Sequence, residues 1–168
     1  VEEQFRAKLE RMMALSAEKL LSTWQRLSGY PGGARLFSAF LGRVVPYSGS
    51  IGARVDTLEA GRSRVLLPDR RANRNHLNSL HAIALVNVAE LASGLALITS
   101  LPPGARGILT GFRVTYSKKA RGMIAAESQS EVLAQVPDRR KVDVPVTLKN
   151  AEGTVVAEAI AEWTVGPA

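Results

Sequence analysis

Residues 2–28 place Phe5, Leu9, Met12, Leu20, Trp24 and Leu27 three, four or eight positions apart, with charged residues between them. That is the apolar stripe of an amphipathic helix. Glu2 and Glu3 suit its N-terminal dipole. Gly29, Pro31, Gly32 and Gly33 break it, and a shorter apolar segment from Leu36 to Val45 runs up to Pro46. The pattern therefore predicts two helices in an N-terminal extension over residues 1–45.

From Ser50 the period falls to two. Ile51, Ala53 and Val55 alternate with small or polar residues, Glu59-Ala60-Gly61 makes a turn, and Arg62 to Leu67 returns, which reads as a hairpin. A polar loop, residues 68–78, leads into a run from Leu80 to Leu101 built of little but Ala, Leu, Ile and Val, stopped by Pro102-Pro103-Gly104. Four strand-like runs follow. Ile108, Thr110, Phe112, Val114 and Tyr116 alternate in the first, and Met123 to Leu133 forms a less regular second. Val142, Val144, Val146 and Leu148 then face Val155, Ala157, Ala159, Ala161 and Trp163 across a turn at Asn150–Gly153. The predicted order is α-α-β-β-α-β-β-β-β, an α+β chain with its main domain over residues 46–168. A helix so poor in polar positions must be buried on most sides, so the expected architecture is a long central helix wrapped by a curved antiparallel sheet.

That helix approaches the length of a membrane span. Glu90 near its middle would cost roughly 2.5–3.5 kcal/mol there, and His81 and Asn87 add to the penalty, so a buried helix in a soluble protein is expected instead. The N-terminus is charged from its second residue and shows no secretory pattern, which makes the cytoplasm the default compartment.

Composition narrows the chemistry. The 168 residues include no cysteine, which removes disulfides, thiolate nucleophiles and cysteine-based metal sites. His76 and His81 are the only imidazoles, and no carboxylate lies close enough in sequence to complete a three-ligand set, so neither metal nor resident cofactor is expected. A net charge of +7 and a pI near 10.2 suit an anionic partner: nucleic acid, anionic lipid or a phosphorylated small molecule. Nucleic acid is the poorest of these, because aromatics make up only 5% and no finger, stacking or helix-turn-helix motif is present.

One segment carries more than pattern. Asn75, His81 and Glu90, within NHLNSLHAIALVNVAE, stand in register with a signature that runs roughly N-x-x-x-x-x-H-G-G-x-x-x-x-x-x-D/E. On these residues the chain resembles the hotdog-fold acyl-CoA thioesterases, specifically a little-characterised branch of the phenylacetic-acid-pathway (PaaI-like) group, over about residues 48–165. The resemblance implies a hotdog fold, an acyl-CoA substrate, and two hotdogs joined edge to edge as a homodimer, sometimes paired again as a homotetramer. It departs from the signature at Ala82 and Ile83, where the family usually has two glycines, and in having Glu rather than Asp at position 90. Ala82 keeps its backbone N–H, whereas Ile83 is expected to narrow the space for a thioester carbonyl.

Thioester hydrolysis needs a donor for the developing oxyanion and a base or nucleophile to activate or replace water. The first-turn N–H groups near His81 and Ala82, at the positive end of the helix dipole, meet the first need. Glu90, the only carboxylate in the apolar run, meets the second, and burial should raise its pKa. In this reading Asn75 positions water or the thioester, and His81 orients the loop or bonds near the thioester. Asn87 and Ser93, a turn either side of Glu90, are candidates to line the substrate pocket. The same residues also have a purely structural reading: Glu90 as a buried acid paired with arginine, Asn75 as a turn residue, His81 as a helix cap, Asn87 and Ser93 as packing.

Nine residues of helix separate His81 from Glu90, about 13.5 Å. The two cannot easily act on one carbonyl, so a single site using both must borrow Glu90 from a neighbouring subunit, which predicts an obligate dimer. Arg74 before the helix, and Lys118, Lys119 and Arg121 in a turn between strands, are candidate ligands for the coenzyme A phosphates. The expectation is an acyl-CoA thioesterase. The alternative is a hotdog protein that binds an acyl-CoA or another hydrophobic anion without turnover.

Overall fold

The computed structural model describes residues 16–168. Phe5, Leu9 and Met12 of the first predicted helix lie outside them. Within them, α1 (Ala17–Ser28) starts at an N-cap, Ser16, whose hydroxyl accepts from the Lys19 N–H at 3.3 Å. It is followed by α2 (Gly33–Val44) and a short α3 (Pro46–Ser50). Pro46 was expected to end the helical region. Instead it opens α3, because proline at a first helical position gives up an N–H that would have no helical partner anyway.

Among the described residues six strands form one antiparallel sheet: β1 (Arg54–Glu59), β2 (Arg62–Leu67), β3 (Ala105–Tyr116), β4 (Ile124–Gln129), β5 (Arg140–Lys149) and β6 (Val155–Pro167). Their order is β1-β2-β4-β5-β6-β3, with β1 and β3 at the edges. The sheet curls around α4 (Ala82–Ser100), as a hotdog fold requires. Small residues on both partners allow the close wrap: Ala89, Ala92 and Ala96 of α4 and Ala157 and Ala161 of β6 are all sealed from solvent. Although α4 is apolar and long enough to cross a membrane, most of its surface is buried inside the protein. The extension shares this core, since Leu20, Trp24, Phe37 and Leu41 pack in one cluster with Val65, Leu85 and Val88. Trp24 meets Phe37 edge-on, with ring centroids 5.2 Å apart.

The β5–β6 pairing follows the alternation read from sequence, with Val144 opposite Ala161, Val146 opposite Ala159 and Leu148 opposite Ala157. Two strands differ from it. The second run is regular only from Ile124 to Gln129: Ile124, Ala126 and Ser128 face the core, and the small Ala125 on the other face is buried as well, which blurs the period, while Glu127 and Gln129 on that face reach solvent. In β3 a bulge between Leu109 and Gly111 splits the single alternation expected from Ile108 to Tyr116. Ile108 and Thr110 therefore face outward, Ile108 at 60% exposure, while Phe112 and Val114 pack on the core.

Candidate active site

The loop before α4 is built by two asparagines. Asn73 is buried, donates from Nδ2 to the carbonyls of Ile51 (2.8 Å) and Pro68 (3.0 Å), and accepts at its own carbonyl from the His81 N–H at 2.8 Å. Asn75 Oδ1 accepts from the Leu77 N–H at 2.9 Å and from the Ser79 N–H and hydroxyl at 3.3 and 3.2 Å. Those bonds hold a tight turn, which passes through Asn78 at φ 53°. The sequence reading singled out Asn75 and passed over Asn73. Nothing in the local pattern separates the two, and only the bonds that Asn73 makes to Pro68 and to the distant Ile51 show which one is buried.

The helix starts two residues later than the first apolar position. His81 is its N-cap: Nδ1 accepts from the Ile83 N–H at 3.1 Å, and the His81 carbonyl accepts from Leu85 at 3.2 Å. The His81 side chain is otherwise exposed. Ala82 is the first helical residue, and the helix itself offers its N–H no acceptor. The Ile83 side chain is 53% exposed and stands at the edge of a shallow hollow of about 180 Å³, bordered also by His81, Asn87, Arg74 and Tyr47. Asn87 is 6% exposed; its Nδ2 donates to the Tyr47 carbonyl at 3.3 Å, and its Oδ1 has no hydrogen-bond partner among the described residues. A buried acceptor without a donor is costly unless a ligand or water supplies one.

Tyr116, at the end of β3, donates its hydroxyl to the Ala82 carbonyl at 3.2 Å, and burial raises its pKa. Sequence reasoning saw it only as an alternating strand residue; its place beside the helix start follows from β3 running antiparallel to the long β6 at the sheet edge.

The basic turn is drawn to the same end of α4. The Ala120 carbonyl accepts from the Leu80 N–H at 2.8 Å, which sets Lys118, Lys119 and Arg121, all exposed, beside the helix start. Asp69 pins this turn from the other side, accepting from the Gly122 N–H at 2.7 Å and from Arg74 Nε at 2.6 Å. Arg74 also donates to Asn78 Oδ1 at 3.1 Å, so its guanidinium is already engaged within the chain. The hydrogen bond from Arg74, followed by that from Gly122, holds the Asp69 carboxyl below its usual range, and the same pair raises Arg74. A carboxyl depressed in the folded state stabilises the fold above its unfolded pKa of about 3.9 and loses that contribution as pH falls through the folded value. Asp69→Ala is therefore expected to speed amide exchange at Gly122 about tenfold at neutral pH, with little difference from wild type once the carboxyl is protonated. Equal exchange at neutral pH would show that the turn is held by other contacts.

Glu90 lies two turns along α4, apart from this group. It is partly buried, and burial alone pushes its carboxyl up. Among the described residues no lysine, arginine or histidine pairs with it, so the arginine-locked alternative does not hold. It falls on one stripe with Val86, also partly buried, and the exposed Ile83, a face of α4 that the surrounding chain covers least. Ser93 is fully buried and donates to the Glu90 carbonyl at 2.9 Å, a packing role with no route to a substrate. Among the described residues no three His, Asp or Glu side chains gather as a metal site would need. The structure thus brings Asn75, His81, Ala82, Asn87, Arg74 and the Lys118–Arg121 turn to one end of α4 and leaves Glu90 and Ser93 further along it.

A family model described as a domain of unknown function, DUF4442, matches residues 33–165. Among solved structures, a structural-genomics target is 32% identical, covering 90% of this chain and 99% of its own, with a TM-score of 0.76. A Pseudomonas aeruginosa protein described as of unknown function and a probable thioesterase is 24% identical, covering 83% of this chain and 97% of its own at TM-score 0.72. A thioesterase family protein from Silicibacter pomeroyi is 22% identical, covering 78% and 96% at TM-score 0.65. At those lower identities the likeness is one of fold. None of the curated proteins matches the chain.

Proposed function

Since the chain belongs to the DUF4442 family and has the hotdog fold found in thioesterase-family proteins, we propose that it hydrolyses an acyl-CoA thioester at a site shared by two copies. The observation that carries this reading is Glu90: a carboxylate raised by burial, without a counter-ion among the described residues, on the open stripe of α4. Eight helical residues, about 12 Å, separate it from the Ala82 N–H. A second hotdog pairing through the free edge of β3 would bring one copy's Glu90 toward the other's helix start. Twelve residues long, bordered by exposed Ile108, that edge is the kind of surface a monomer seldom leaves open.

In this mechanism Glu90 of the partner subunit takes a proton from water. The resulting hydroxide attacks the thioester carbonyl carbon, and the charge on oxygen is held by the Ala82 N–H at the positive end of α4. Collapse breaks the C–S bond, and the proton passes from Glu90 to the departing thiolate, releasing a carboxylic acid and coenzyme A. Asn75 Nδ2, which makes no hydrogen bond among the described residues, steadies the water or carbonyl. Asn87 Oδ1 accepts a substrate N–H, and Lys118, Lys119 and Arg121 meet the phosphates. No role falls to Ser93, and Arg74 acts by fixing the basic turn.

One observation favours the non-hydrolytic alternative: His81 occupies the Ile83 N–H, leaving the oxyanion one donor fewer. A thiol-release assay over short, long and aromatic acyl-CoAs separates the two, hydrolysis being expected and binding without release supporting the alternative. Sedimentation mass is the second check. A dimer or dimer of dimers is expected, and a strict monomer would leave Glu90 with no carbonyl to act on.

A further inference from the structure

Away from this site, the helical extension forms an open-mouthed cavity of about 470 Å³ against β1 and Leu91 of α4. It exists because α2 and α3 meet backbone to backbone: a Cβ on Gly49 would stand 2.5 Å from the Gly42 carbonyl oxygen. Gly52, at φ 64°, then swings the chain into β1 and leaves a hollow behind it. Its walls are carbon, from Leu41, Val45, Ala53, Val55 and Leu91. Its charged rim is cationic. Among the described residues Arg35, Arg43 and Arg54 line it beside Ser38 and Ser48, no carboxylate does, and none of the three arginines makes an ion pair. Two of them make only weak hydrogen bonds: Arg43 Nη1 lies 3.4 Å from the Ala39 carbonyl and Arg54 Nη2 lies 4.0 Å from Met123 Sδ.

An apolar wall under an unneutralised guanidinium rim complements an amphiphile with one anionic head, and the volume falls within the roughly 300–1,000 Å³ of small-molecule sites. We infer that this cavity binds a free fatty acid, its chain against Leu41, Val45, Ala53 and Leu91 and its carboxylate on the arginine rim. Leu91 follows Glu90 on the adjacent face of α4, and Glu90 itself does not line the cavity. The cavity is therefore distinct from the reactive stripe. If the hydrolysis proposed above holds, the ligand belongs to the class of its product, and binding there would let the acid report on turnover.

Calorimetric titration with laurate and with dodecanol tests this on the intact protein, alongside Glu90→Gln and the double variant Arg43→Glu/Arg54→Glu. Laurate should bind wild type and Glu90→Gln equally, dodecanol at least about tenfold more weakly, and the double variant should lose laurate by a similar factor. A second variant, Ala53→Phe, should weaken laurate by filling the wall without touching the charges. Equal binding of laurate and dodecanol, or full laurate affinity after charge reversal, overturns the inference. So does the absence of laurate binding to the wild type. Laurate binding without thiol release would overturn the hydrolase reading alone, and thiol release without laurate binding would overturn this one alone.

Discussion

Glu90→Gln is expected to lower kcat for thioester hydrolysis by about 10²–10⁴-fold, the usual worth of a positioned general base, with a much smaller change in KM. The amide keeps the shape and loses only the proton-accepting oxygen. The same substitution should raise the midpoint of thermal unfolding at neutral pH, and the sign follows from linkage. Burial raises the Glu90 carboxyl, so the folded state holds its proton more tightly than the unfolded chain. Its favourable contribution is complete below the unfolded value of about 4.3 and is lost as pH rises through the folded value. The cost of ionising a buried carboxyl as pH rises is one that glutamine does not carry. Activity runs the opposite way, rising with pH as Glu90 ionises, with its acid limb above the ordinary carboxylate range. Unchanged kcat in Glu90→Gln would end the hydrolase proposal. Reduced kcat together with a lower melting point would mean that Glu90 holds structure instead.

The elements that local pattern decides were legible in the chain. The valines of β5 against the alanines of β6 declare both register and inward face, and the run from Leu80 to Leu101 can only be a covered helix. Signature spacing also set Asn75, His81 and Glu90 apart before any coordinates. What stayed hidden depends on contacts distant in sequence. The bulge at Thr110 turns Ile108 outward, and no residue type there announces it. Tyr116 reaches Ala82 across 34 residues, and the Lys118–Arg121 turn reaches the helix start through one backbone bond from Leu80 to Ala120. Ile83 shows a second effect that its side chain did not suggest: its N–H, taken by His81, alters the donor set at the helix start. The cavity beneath α2 depends on two glycines seven residues apart touching, which no periodicity encodes.

The shared site can be tested without disturbing the fold, because Ala82 stands where proline is welcome. It is the first residue of α4, and His81 before it is extended, at φ −66° and ψ 139°, as a residue preceding proline prefers. Ala82→Pro therefore removes one N–H and little else. If that N–H holds the oxyanion, kcat falls by about 10²–10³-fold while the melting temperature stays near that of wild type. A full rate in this variant would place the oxyanion elsewhere. Mixing then distinguishes a shared site from two private ones. A chain carrying Glu90→Gln keeps Ala82, and a chain carrying Ala82→Pro keeps Glu90. In a mixed dimer with sites across the interface, one site has both parts intact and the other has neither. Equal amounts, unfolded and reassembled together, give about half mixed dimers with one working site of two, so about a quarter of wild-type activity returns from two nearly inactive parents. Mixed dimers confirmed by mass that stay as inactive as their parents would confine each site to one chain, and Glu90 would then have to reach its carbonyl across the 12 Å or so of its own helix.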